Sequence, residues 1–345
     1  MGITHLSGLE VAGVPTMGMS GLPLTIGNVY FVDYARGSDG NSGAADAPLK
    51  TLYQAQNLMT DGNNDVAVIV GDGSTAATQR LSLANKQIID PTATNGTLVW
   101  AKDACHIVGM TAPTKVGQRA RIAPPSGTYT ASTFGADVFV SVTAQGCIFS
   151  NFSTFVGFST GSASMVGWSD TGGRNYYQNV QLGGFGDTAS AQGTGARALL
   201  VSGTTGENTF DGCSIGLDTV ARTVANANLE LAAGTPRNTF RNCDFPMLAG
   251  AAGVLSILGT GASCIDRYHV FDRCKFINSM SSGGTAQTVI ASFTNASPGG
   301  LLLMDGCTFI GDSSTNWGDT NALANMYVNG GSPTAATNGN AVKPT

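Results

Sequence analysis

Charge is scarce in this chain. Only 11% of its 345 residues are Asp, Glu, Lys or Arg, the formal net charge is -5, and glutamate occurs only at Glu10, Glu207 and Glu230. Without a cluster of Lys and Arg there is little electrostatic basis for holding a phosphate backbone, so no nucleic-acid partner is expected. Long apolar runs are missing as well. No stretch approaches the ~20 residues needed to span a bilayer, which argues against a membrane protein. The opening residues lack a basic segment followed by an apolar one, so Sec export is not expected. His5, His106 and His269 have no metal-ligand spacing, and His269 reads as a structural side chain. The run from Asp39 to Gly43 lacks the ligand pattern and terminal glutamate of a calcium loop and reads as a turn. Neither a metal nor an organic cofactor is expected.

Glycine is abundant, with 47 residues, and between the Gly, Ser, Thr and Asn lie short apolar segments that superimpose. Six of them are Val142 to Phe149 (VTAQGCIF), Asn175 to Leu182 (NYYQNVQL), Asn208 to Ile215 (NTFDGCSI), Asn238 to Phe245 (NTFRNCDF), His269 to Phe276 (HVFDRCKF) and Leu302 to Phe309 (LLMDGCTF). Their sixth positions are Cys147, Val180, Cys213, Cys243, Cys274 and Cys307, in steps of 33, 33, 30, 31 and 33 residues. A period of this size means one supersecondary unit per copy, unable to bury its apolar face until a neighbour stacks on it.

The spacing inside the unit identifies the solenoid. Positions six and eight are apolar, the period-two signature of a strand with one buried face. Position three is mostly apolar too, but it sits three residues before position six, so a corner must intervene. The residue before position six is Gly or Asn in five of six copies. Both tolerate the left-handed region that a sharp bend between strands requires, so positive φ is predicted at Gly212, Asn242 and Gly306. A strand, a corner and a second strand on a long period describe one coil of an all-β, parallel β-helix. Cysteines at one inward position would stand about 4.8 Å apart, beyond the ~3.8 Å a disulfide prefers, and are read as a ladder of free thiols. Cys105 reads as an earlier, less regular rung, and Cys264 has no assigned role.

Before the repeats, Val29 to Val70 reads as strand, turn, helix and strand, with Thr51 as helix N-cap and Leu52, Ala55, Leu58 and Met59 as an apolar stripe covering the open solenoid end. The divisions are an extended N-terminal arm at 1–27, a lead-in and cap at 28–110, rungs at 111–311 and a polar C-terminal tail at 312–345. The arm is apolar, with Ile3, Leu6, Leu9, Val11, Val14, Met17, Met19, Leu22 and Leu24 as candidate partner-binding residues. It is too apolar for a solvated tail and too short for a core, which suits an arm lying on another protein; the alternative is a strand-like lead-in packed on its own solenoid.

The N-T-F-x-x-C-x-F unit resembles the rungs of pectate-lyase-like right-handed β-helices, and Val29 to Gly73 resembles their lead-in segment. The resemblance implies a single-stranded right-handed β-helix. Enzymes of this fold gather carboxylates on one outer face. The outward candidates here, Asp211, Asp272 and Asp305, sit at corners where Asp is ordinary turn chemistry. No Gly-His-Gly run of the polygalacturonase-like kind occurs, and no catalytic residue is assigned. Trp168, Tyr176 and Trp317 are expected at the surface, for sugar stacking or for a subunit interface.

A weakly charged β-helix with an apolar arm and no export signal also resembles structural proteins of tailed bacteriophages. That resemblance implies a head decoration or cement protein, a homotrimer assembled in the host cytoplasm and held on the virion surface by arms laid across the major capsid protein. The alternative is a tailspike or receptor-binding protein that binds or depolymerises host surface polysaccharide. The short N-terminal appendage and the missing carboxylate groove favour the first, and missing motifs weigh against a secreted lyase.

Overall fold

The computed structural model describes residues 27–71, 97–118, 120–123, 138–156, 166–185, 193–279, 283–295, 297–311 and 316–328, with strand paths at 9–11, 14–17, 22–23, 81–82 and 340–342. One unit shows how a coil is made. Strand Thr209–Asp211 buries Phe210, Gly212 turns the chain at φ 63°, and Ser214–Ile215 leaves in a new direction with Cys213 and Ile215 inside. A third strand, Ala227–Ala232, completes the coil. Stacked coils form three parallel sheets. Sheet I has ten strands from Val29–Val32 to Met326–Val328, and sheet II has nine in line from Leu81–Ser82 to Asn340–Val342 with Ala221–Arg222 at its side. Sheet III has eight, from Leu98–Trp100 to Asn316–Gly318. The segment read as a polar tail therefore adds a strand to each sheet, because the solenoid continues past residue 311.

Register corrects one member of the ladder. Phe149 pairs with Tyr177, so the first unit runs from Cys147 to Thr154 and Phe152, not Cys147, stands below Val180. The Cys-x-Phe spacing of Cys147 to Phe149 mimics positions six and eight, yet strand Ile148–Ser150 precedes the corner. The corner itself is Asn151, at φ 59°. The column is thus Phe152, Val180, Cys213, Cys243, Cys274 and Cys307, all buried. The predicted positive φ holds at Gly212, Asn242 and Gly306, and Asn179 and Arg273 share it at 51° each.

Columns of stacked side chains fill the interior, and three of them show how the corners are built. Phe149, Tyr177, Phe210, Phe240 and Phe271 stack with centroids 4.8, 4.4, 4.7 and 4.7 Å apart. The thiols of Cys213, Cys243, Cys274 and Cys307 lie 3.5, 3.4, 3.3 and 3.2 Å from the carbonyl oxygens of Tyr177, Phe210, Phe240 and Phe271 in the preceding coil. All seven cysteines are free and buried, Cys147 and Cys105 included. Burial pushes the thiol of Cys147 up to about 12 and that of Cys105 to about 11, far from the thiolate form that exchanges disulfides.

The third column, at position one, is polar. The backbone N–H groups of Cys147, Asn175 and Asn208 donate to the Oδ1 atoms of Asn175, Asn208 and Asn238 at 2.8, 2.9 and 2.9 Å. Asn238 N–H donates to Nδ1 of His269 at 3.1 Å. The residues just before this column, Gly146, Arg174, Glu207 and Arg237, are left-handed at φ 68°, 57°, 62° and 46°. A second corner therefore interrupts the sheet there, and the side-chain carbonyl of the next coil satisfies the amide that follows it.

The N-terminal end is closed by helix Leu52–Leu58, whose N-cap Thr51 accepts from Gln54 N–H at 3.1 Å. Leu52, Ala55 and Met59 are buried, but Leu58 is 39% exposed. Leu58 falls about 60° beyond Ala55 around the helix, outside the covered face. Gln56 is buried instead. Its amide group donates to Val99 O and accepts from Ala101 N–H, both at 2.8 Å, pairing the edge of sheet III.

Replacing Asn208 with Leu keeps the branching of the side chain but leaves the Asn175 N–H buried without an acceptor. Urea unfolding should show a loss of about 1–3 kcal/mol, and an unchanged midpoint would remove the asparagine column from the account of stability. Cys243→Ala should cost about 1–2 kcal/mol through a small cavity.

Candidate functional surface

With the interior filled, chemistry is left to the outer faces. Along one edge of sheet I the outward column reads Ser150, Gln178, Asp211, Arg241, Asp272 and Asp305. Asp211 accepts from Arg241 Nη2 at 2.9 Å and from the Tyr176 hydroxyl at 3.3 Å. Asp272 takes two bonds from Arg273, at 3.0 and 2.9 Å. Register puts Asp272 and Asp305 one strand apart, about 4.8 Å, and Asp211 and Asp272 about twice that. Such separations resemble those of glycosidase pairs, but Asp211 and Asp272 are each engaged by a guanidinium, not presented free to a substrate. At the other edge Glu207 bridges Arg174, at 3.1 Å, and Arg237. These are solvated pairs of small energetic worth.

Two of the three expected surface aromatics are internal. Trp168 is fully buried, edge-on to Phe149 at 5.5 Å, and its Nε1–H donates to the Tyr177 hydroxyl at 3.1 Å. That hydroxyl donates to Asp170 at 2.5 Å, and Asn175 Nδ2 and Gly173 N–H each reach the same carboxylate at 3.0 Å. Burial holds the Asp170 carboxyl above its ordinary range against the pull of these donors. Trp317 packs against Phe276 at 6.1 Å and is 5% exposed. Only Tyr176 is half-buried on the outer face. Among the described residues the exposed tyrosines are Tyr268 and Tyr327, at 40% and 52%, beside Val270 and Leu303 on the outward side of sheet I's last strands. Strand alternation could have found Tyr268, which lies one residue before the fifth repeat.

The segment 111–118 runs as a strap over the outward row of sheet II. Lys115 Nζ bonds Asn242 O and the Asp244 carboxylate, both at 2.8 Å, and Gly117 N–H donates to Gln181 Oε1 at 2.8 Å. Gln118 Oε1 of the strap, and Ser214 Oγ and Asp244 Oδ1 of the sheet, are buried without a protein partner, a setting suited to ordered water. No local pattern announces a contact between residues 127 apart.

Among the described residues, no group of three or more His, Cys, Asp and Glu is placed to hold a metal, and no helix is long and apolar enough to cross a membrane. Of the arm, Leu9–Val11, Val14–Met17 and Leu22–Pro23 form an antiparallel three-stranded sheet that joins none of the solenoid sheets. Ile3, Leu6, Met19 and Leu24 lie outside the described residues, as do the side chains of Leu9, Val11, Val14, Met17 and Leu22.

No protein-family model matches the chain, and no curated protein matches it. Solved structures do. Pectate lyase Pel9A is similar at a TM-score of 0.53 and 12% identity, over 89% of this chain and 71% of that one. The fold is that of a pectate-lyase-like right-handed β-helix. A pectin methylesterase from Aspergillus niger is similar at a TM-score of 0.47 and 12% identity, over 96% of this chain and 93% of that one.

Within this β-helix the buried histidines set an acid limit. Burial lowers His269 to about 3 and His106 to about 4, against about 6.5 in an unfolded chain. Below pH ~6.5 the unfolded state binds protons the folded state refuses, so their contribution is intact above that pH and lost as pH falls. His269→Asn extends the asparagine column and should flatten this fall by about 1.4 kcal/mol per pH unit in urea unfolding between pH 6 and 4.5. An unaltered slope would show that His269 does not carry it.

Proposed function

We propose that this β-helix is a structural protein of a tailed-bacteriophage particle, a head decoration protein that stands on the capsid surface as a homotrimer. The observation that carries the reading is the N-terminal sheet, whose strands pair with one another and with no strand of the solenoid. Its sequence is apolar, and strands of two to four residues have little stability alone. An attachment module gives it a surface to rest on, the major capsid protein. The ion-paired carboxylates of sheet I agree with a scaffold better than with a hydrolase, and the low surface charge suits close packing on a particle.

A second reading has one observation in its favour. Tyr268 and Tyr327 stand exposed on the same outward face as Asp272 and Asp305, a combination of rings and acceptors that suits a sugar chain. On that reading the protein is a tailspike or receptor-binding protein for host surface polysaccharide, a ligand class compatible with a fold shared with a pectate lyase.

Deleting residues 1–26 should leave a folded β-helix that no longer attaches to its particle, because rung stacking does not depend on the arm. Retained attachment would place the anchor on the solenoid itself. Copy number per purified particle separates the readings, with hundreds for a head protein and a few for a tail protein. Release of reducing ends or unsaturated uronate from host polysaccharide, abolished by Asp272→Asn or Asp305→Asn, would move the assignment to a tailspike enzyme.

A further inference from the structure

The outward face of sheet I changes character along the solenoid. From the fourth strand onward the column at its corner-side edge is Ser150, Gln178, Asp211 and Arg241. In the first three strands the outward side carries Phe31, Val66, Val68 and Val108, with Phe31 paired to Val68 and Val68 to Val108. Ala67, Ile69 and Ile107 alternate with them and belong to the solenoid core, whereas these four form an apolar cluster of their own. Outward valines on a solvated sheet stand partly open to water. Here Val66 and Val68 are 0% exposed and Val108 is 3% exposed, so a layer lies over them. Among the described residues, Phe31 is the one further hydrophobic side chain in that cluster.

We propose that the layer is the chain's own N-terminal meander, Leu9 to Pro23, docked face to face on the Phe31, Val66, Val68 and Val108 patch in the free protein. Reach permits it: Pro23 is six residues before Val29, where the first strand of sheet I begins, and six residues span up to ~20 Å while packed sheets lie ~10 Å apart. Chemistry matches, since the segment from Leu9 to Pro23 carries one charge, Glu10, and the patch carries none. Each surface also supplies what the other lacks. The meander has no core, and the patch is apolar where the rest of that column is polar. The docking stands whether or not the particle reading does; only release of the meander onto a capsid rests on that reading.

The test compares the full chain with a chain lacking residues 1–26, both checked for folding by circular dichroism. The deleted chain should bind an environment-sensitive apolar dye at least threefold more strongly. A synthetic peptide of residues 1–26 added in trans should reverse the gain, and Val68→Thr, which keeps the shape, should weaken the peptide's effect and speed proteolysis within residues 1–26 of the full chain. No gain of dye on deletion, or a peptide without effect, would overturn the docking. Reversal by the peptide combined with undiminished particle attachment of the deleted chain supports the docking and removes only the anchoring reading.

Discussion

A chain that coils around an axis must turn sharply in every coil while leaving no backbone amide unpaired in a dry interior. Register between successive coils solves this, and the rest of the molecule depends on it. At one corner a left-handed Asn or Gly, or Arg273, redirects the chain. At the other, the left-handed residue is followed by an amide whose acceptor is the side chain of the next coil, through Asn175, Asn208, Asn238 and then His269. One slipped residue would turn the aromatic and thiol columns outward and misplace every one of these acceptors at once.

This constraint decides where function can reside. The interior is given over to columns of like side chains, and its titratable groups, among them Asp170, Tyr177 and His269, are held in their neutral or hydrogen-bonded forms by burial and by their neighbours. Recognition falls to the faces and to the ends. Sheet I has three zones along one face: an apolar patch beside the cap, a middle of ion pairs, and a distal group with the exposed Tyr268 and Tyr327. Sheet II is crossed in its middle by the strap, from Ser153 and Gln181 to Asp244, where Lys115 anchors it. The candidate surfaces thus differ in chemistry although the coils beneath them are alike, because outward positions are released from the register that binds the inward ones.

The coil and its corners were legible because they obey local rules repeated many times. Gly212, Asn242 and Gly306 stood out through turn chemistry, and Cys213 to Cys307 through their spacing. Cys147 was misplaced because Cys-x-Phe occurs on both sides of a corner, and only pairing with Tyr177 tells the two apart. The asparagine column was visible as the first letter of three repeats, yet its role required knowing that the residue before it turns left-handed. Trp168 and Trp317 read as surface residues because large aromatics outside the repeat carry no mark of their orientation.

By itself, the sequence determined the coil: alternating apolar positions, a corner residue that tolerates positive φ, and a period too short for anything but stacking. Those are properties of a few consecutive residues and survive any arrangement of the remainder. Tertiary structure alone decided the exact register of the first unit, the partner of each asparagine, the burial of Asp170 beneath Tyr177 and Trp168, and the path of the strap to Asn242. These depend on which residues the accumulated lengths of successive coils bring into contact, and coil length varies with loops that follow no repeat.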